Sequence, residues 1–262
     1  MKLSISNIAW DSANDSAAYK AMKDLGFAGL EIAPTKIFGA TPYEDLEASK
    51  KWAAKMAAEE RLEIPSMQSI WYGRKENIFA GDADKDALIA YTKKAIDFAQ
   101  SVNCRNLVFG CPKNRSTSKE SDYTTAIDFF HEIGDYAFSK GTCIGMEANP
   151  TIYGTNFIND TASALKLIDD VNSKGFRLNL DIGTMIQNAE SVEILEGRCD
   201  FINHVHISEP YLKPIQERDL HKNLAKFLNE NGYSNYISIE MGKLDDFAQV
   251  LKVMEYVRGV FK

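Results

Sequence analysis

Short apolar runs punctuate the chain at 3–10, 27–33, 64–71, 105–110, 142–149, 176–183, 200–208 and 236–241. Each is followed by a stretch whose apolar positions fall three and four residues apart, the spacing of one helix face. In the last stretch, "KLDDFAQVLKVMEYVRG", that face would comprise Leu244, Phe247, Val250, Leu251, Met254 and Val257. Gly26, Gly141, Gly175 and Gly232 stand between a helical stretch and the next apolar run, where a helix C-cap favours a left-handed residue. The pattern is therefore eight strand-then-helix units. Strict alternation of this kind implies a parallel sheet, and eight units over residues 1–262 predict one (β/α)₈ barrel domain. An open doubly wound sheet is the alternative, but the first unit lacks a GxGxxG phosphate loop.

In a barrel of this kind the working side chains lie at the C-terminal ends of the strands. Strand alternation assigns them to faces. Gly29 and Glu31 share the inner face, as do Ser66 with Gln68, Cys143 with Gly145 and Glu147, Asn179 with Asp181, His204 with His206, and Ser238 with Glu240. The fifth to eighth runs thus bring Glu147, Asp181, His206 and Glu240 together at the barrel mouth. Three carboxylates and one imidazole in one cavity repel one another and lose hydration. A divalent cation relieves both. An oxygen-rich set with one nitrogen favours Mn²⁺ or Mg²⁺, with Co²⁺ or Zn²⁺ as further candidates. His204, one layer deeper, is expected to hydrogen-bond a ligand or substrate.

Composition narrows the partners. Hydrophobic residues make up 45% of the 262 residues and charged residues 26%, ordinary for a globular protein. A net charge of −7 suits nucleic acid poorly, so a small molecule is the expected partner. No apolar stretch has the length of a membrane span or a signal peptide. Cys104, Cys111, Cys143 and Cys199 lack CxxC spacing and read as reduced thiols of a cytoplasmic protein.

The segments "GLEIAP", "GMEANP", "LNLDIGTM", "HVHISEP" and "ISIEM" carry a resemblance that extends over essentially the whole chain. The sequence resembles the sugar phosphate isomerase/epimerase superfamily of xylose isomerase-like barrels, which includes ketose 3-epimerases and hydroxypyruvate isomerases. The resemblance implies that Glu147, Asp181, His206 and Glu240 bind one divalent metal, typically Mn²⁺. It also implies that Glu147 and Glu240 act as acid and base on opposite faces of a carbohydrate substrate. Two positions depart from the ketose 3-epimerase pattern: Thr184 stands where those enzymes carry His, and Leu212 where they carry Arg. A tagatose- or psicose-type epimerase is therefore not implied.

Further substrate contacts are expected around the mouth. Trp10 and Trp71 could stack on a sugar face, Glu31 and Gln68 could bind hydroxyls, and Lys113 and Arg115 could hold a phosphate or carboxylate. Glu209 and His221 are further candidates, and "NPTIYGTNF" reads as a long loop over the site. The leading expectation is a metal-dependent isomerase or epimerase of a sugar or related polyol ketone. A dehydratase or lyase on the same barrel is the alternative, ahead of a non-catalytic sugar-binding barrel. An endonuclease IV-type nuclease needs more histidines than the four present. A homo-oligomer is left open.

Overall fold

The computed structural model describes residues 1–119 and 122–262. Among these residues, seven strands form one sheet: β1 (Lys2–Ser6), β2 (Gly29–Glu31), β3 (Leu107–Phe109), β4 (Ile144–Met146), β5 (Phe176–Asp181), β6 (Ile202–Ile207) and β7 (Tyr236–Ile239). Their order is β2-β1-β7-β6-β5-β4-β3, and every pairing is parallel. The third predicted strand is reduced to isolated bridges, yet it closes the ring. Met67 bridges Ile32 on one side and Leu107 on the other. Its N–H donates to Asn106 O at 2.9 Å and its carbonyl accepts from Val108 N–H at 2.8 Å. Pro65, which has no N–H to give a ladder, accounts for the irregularity. The result is an eight-staved barrel.

Among the described residues, eight helices follow the staves: Asp15–Leu25, Leu46–Lys55, Asp82–Ser101, Asp122–Ser139, Thr161–Val171, Ile182–Gln187, Asp219–Glu230 and Phe247–Phe261. A ninth, Pro34–Phe38, was not foreseen. Three other details differ from the sequence pattern. The sixth unit makes its helix at Ile182–Gln187, directly off the strand, because Asp181 accepts from Thr184 N–H as an N-cap. The "ESVEILEG" stretch is only a 3₁₀ turn, Val192–Leu195. The last helix begins at Phe247, so Leu244 lies outside it, and its buried face is Val250, Val253, Met254, Val257 and Phe261. Of the four glycines, Gly175 is not a left-handed cap, since Asn172 fills that role at φ 50°. A Cβ on Gly175 would lie 2.0 Å from Gly134 O, so close helix–strand packing requires glycine there.

Alternation gives the barrel two contrasting faces. Leu3, Ile5, Leu30, Leu107, Ile144 and Val205 point to the helices and are almost fully buried. Each such aliphatic side chain contributes about 1.5–3 kcal/mol by leaving water. The inner face is instead polar, with Ser4, Ser66, Asn106, Asn179, His204 and Ser238 all buried. Asn106 is its strut. Its Nδ2 donates to Ser66 Oγ at 3.0 Å and Asn179 Oδ1 at 3.2 Å, and its Oδ1 accepts from Asn203 Nδ2 at 2.9 Å. No helix among the described residues is long and apolar enough to cross a membrane.

Candidate metal and catalytic centre

Four adjacent strands deliver one group each to the barrel mouth. Glu147 follows β4, Asp181 ends β5, His206 sits near the end of β6, and Glu240 follows β7. One ligand atom from each lies within 4.8 Å of the others. His206 is the hub. Its Nδ1 is 3.0 Å from Glu147 Oε1 and 3.1 Å from Glu240 Oε2, and its Nε2 is 2.9 Å from Glu31 Oε2. A carboxylate only accepts, so Nε2 carries a hydrogen toward Glu31. The nitrogen aimed at the mouth is then Nδ1.

The carboxylates are themselves held. Asn149 Nδ2 donates to Glu147 Oε2 at 3.1 Å and Asn179 Nδ2 to Glu147 Oε1 at 3.0 Å. Asp181 accepts from Thr184 N–H at 2.6 Å and Ser208 Oγ–H at 2.5 Å. Glu31 is completely buried, with Gln68 Nε2 at 3.3 Å and His204 Nε2 at 3.0 Å.

Charge is unbalanced in this cluster. Burial, reinforced by Glu147, pushes Asp181 up to about 6, and burial raises Glu240 to about 7 despite the opposing pull of His206. Burial opposes a charge on His206, but Glu240, Glu31 and Glu147 outweigh it and hold the ring well above its ordinary range. Burial also opposes ionisation of Glu31, yet His206 and His204 keep it well below the usual carboxylate range. Carboxylates this crowded are short of positive charge. Three oxygen donors and one imidazole nitrogen, all converging, fit a hard to borderline divalent cation.

Above these groups opens a cavity of about 570 Å³. Gln68, Trp71, Lys113 and Glu209 line it with Glu147, Asp181 and Glu240. Lys113 is exposed at the rim. Glu209 is buried and gives both oxygens to Arg218, at 2.7 Å from Nε and 2.6 Å from the terminal nitrogen.

Trp10, Glu31, His204 and Arg115 do not line this cavity, so direct substrate contact does not match where they lie. Trp10 is packed away, with its indole N–H on Asp15 Oδ1 at 2.8 Å. His204 and Glu31 lie beneath His206 and support it. Arg115 is wholly buried, and one of its terminal nitrogens donates to Asn149 Oδ1 at 2.8 Å and to the Glu147 carbonyl at 3.1 Å. Through Asn149 it braces Glu147 rather than reaching a ligand. Burial pushes His221 down to about 4, and its Nδ1 lies 2.9 Å from Tyr256 Oη, away from the cavity. Thr184 is likewise buried, its hydroxyl on Ala148 O at 2.7 Å, whereas Leu212 faces the cavity.

Asn149 and Ser208 were not foreseen as site residues. Their signal was present: each stands two residues beyond one of the converging groups, Glu147 or His206, and so continues the inner face past the strand end. The mouth loops also hold uncommon backbone. Ser69, Cys111, Ile158, Tyr211 and Leu212 all have positive φ, and for a β-branched residue such as Ile158, at 58°, this is an outlier.

The profile of one family, described as xylose isomerase-like TIM barrel, matches residues 19–257. A comparison with curated protein sequences found no match. Solved structures with the same fold include a D-psicose 3-epimerase from Clostridium cellulolyticum H10, 14% identical with a TM-score of 0.81 over 100% of both chains. A 3-keto-D-glucoside 4-epimerase from E. coli is 18% identical, with a TM-score of 0.78 over 99% of each chain. An AP endonuclease, family 2, from Brucella melitensis is 16% identical, with a TM-score of 0.73 over 99% of this chain and 96% of that one. At such identities these likenesses establish the fold, which hosts more than one chemistry.

Proposed function

The chain belongs to the xylose isomerase-like TIM-barrel family, and from that premise we propose a divalent-metal-dependent isomerase or epimerase. Its substrate is a sugar, sugar phosphate or related polyol ketone. One observation carries the reading: Glu147 and Glu240, from the outer two of four adjacent strands, both approach His206 Nδ1 at the floor of a cavity sized for a small molecule. The likeness to two proteins described as sugar epimerases supports the substrate class.

A proton next to a ketone is weakly acidic, so its removal needs a placed base and a way to hold the resulting negative charge. Glu147, Asp181, His206 and Glu240 would hold the cation, Mn²⁺ first and Mg²⁺, Co²⁺ or Zn²⁺ as alternatives. Once bound, it supplies Lewis-acid stabilisation of charge on substrate oxygen. Glu147 and Glu240 then divide the proton transfers. One removes the α-proton to give an enediolate. The other returns a proton to the opposite face of that carbon, giving an epimer, or a proton goes to the neighbouring carbon, giving an aldose–ketose isomerisation. Asn149 and Asn179 hold Glu147 in place for that transfer.

The test is deuterium incorporation. The Mn²⁺-loaded protein in D₂O is offered ketoses, keto-inositols and sugar phosphates, and exchange is scored by mass spectrometry. Exchange with retention of substrate mass apart from deuterium supports the reading. Loss of water from the substrate instead identifies a dehydratase, and absence of exchange across the panel rejects both.

A further inference from the structure

The end of the barrel opposite the mouth holds a second cavity, of about 640 Å³, among the starts of the strands. Its walls are neighbours by backbone pairing. Lys2 N–H donates to Asn235 O at 3.1 Å, Tyr236 stands in register with both Lys2 and His204, and Arg105 N–H donates to Pro65 O at 3.3 Å. The helix Leu46–Lys55 and the π-helical turn Met56–Glu60 that continues it close the outer side. Lys50, Ala53, Ala54 and Ala57 line the cavity from there, at the three-, four- and seven-residue offsets of one helix face. Three methyl side chains on that face leave the space open. Leu62, Ile64 and Val102 extend the apolar wall.

The polar side is cationic. In a chain of net charge −7, Lys2, Lys50 and Arg105 line this cavity against one carboxylate, Glu63. Glu63 Oε2 already accepts from Tyr236 Oη–H at 2.7 Å and lies 3.5 Å from Lys2 Nζ. Lys50 and Arg105 have no ion pair among the described residues. At the inner end lies His204, 1% exposed. Its Nε2 is 3.0 Å from Glu31 Oε2 and so carries the ring hydrogen. Its Nδ1 keeps a lone pair with no hydrogen-bond partner among the described residues, a costly state for a buried acceptor.

We propose that this lower cavity binds a small hydroxy-carboxylate with a flat apolar body. The carboxylate meets the unpaired cations, where the fork of Arg105 suits two oxygens. One face of the body rests on the alanines and Leu62, and the hydroxyl donates to His204 Nδ1. Glu147 and Glu240 lie at the opposite end of the barrel, so the site stands whether or not the isomerase reading holds.

Titration calorimetry on the Mn²⁺-loaded protein tests it with 4-hydroxybenzoate. This probe is expected to bind about tenfold more tightly than benzoate, which has no hydroxyl for His204, and than 4-hydroxybenzyl alcohol, which has no charge. Arg105→Ala should remove the advantage over the alcohol. Ala54→Trp, which fills the cavity from an exposed helix position, should abolish binding, and both variants should keep the wild-type Tm. Lys113→Ala, altered at the mouth, should bind as the wild type does. The proposal is overturned by absence of binding to the wild type or by equal affinity for the three probes. Binding that is lost in Lys113→Ala and kept in Ala54→Trp overturns it too.

Discussion

Below the mouth, Asn106 joins Ser66, Asn179 and Asn203, and Asn179 in turn holds Glu147. His206 spans Glu31 and the two mouth glutamates. At the rim, Tyr72, Tyr211 and Leu212 stand substantially exposed on loops. The inner network sits on strands, where neighbouring staves fix each side chain; the rim sits on turns that can change without disturbing them. On the proposed reading, reaction chemistry belongs to the interior and substrate choice to the rim.

The sharpest way to break this division is Glu147→Gln. At saturating Mn²⁺ it should slow C–H exchange by about 10³-fold, and exchange at the wild-type rate would remove Glu147 from proton transfer. Next in size is Asn106→Ala, which strands several buried partners. It should cost about 3 kcal/mol and lower Tm by roughly 6–12 °C, measured by thermal denaturation. Glu31→Gln should weaken Mn²⁺ binding by about 10- to 100-fold while leaving the fold intact. Unchanged affinity would show that the ring of His206 needs no anchor.

Acidity offers a fourth measurement. Asp181 and Glu240 are raised to about 6 and 7, so above that range both are ionised and ready to bind metal. As pH falls through it, each takes a proton that the cation must displace, and His206, raised as well, competes in the same direction. Mn²⁺ affinity should drop about tenfold or more from pH 8 to pH 6, with protons released on binding. The smallest effect belongs to the rim, where Tyr72→Ala should alter stability by less than about 0.5 kcal/mol. A larger loss would mean that the rim helps hold the barrel.

Alternation made the inner face legible. It identified Glu147, Asp181, His206 and Glu240 as convergent, and it placed His204 one layer below. What it could not give was the direction of side chains on loops. Arg115 reads as a rim cation because its partners, Asn149 and the Glu147 carbonyl, come from the next stave. Trp10 reads as a stacking platform until Asp15, on the following helix, takes its N–H. Neither partner is visible as a local pattern. The helix at Ile182–Gln187 was hidden differently, since one residue, Asp181, is both strand end and helix cap.

The bridging segment around Met67 gives the barrel a seam. Six of its eight inter-stave junctions are continuous ladders, whereas the backbone hydrogen bonds of the two flanking residues 63–68 are interrupted at Pro65, which has no N–H to give. A hoop under strain parts at its thinnest joint. Amide hydrogen exchange should accordingly be faster at Met67 and Gln68 than in β5 and β6. A chain cut near this joint would leave two fragments with the staves that carry Glu147, Asp181, His206 and Glu240 together in one of them.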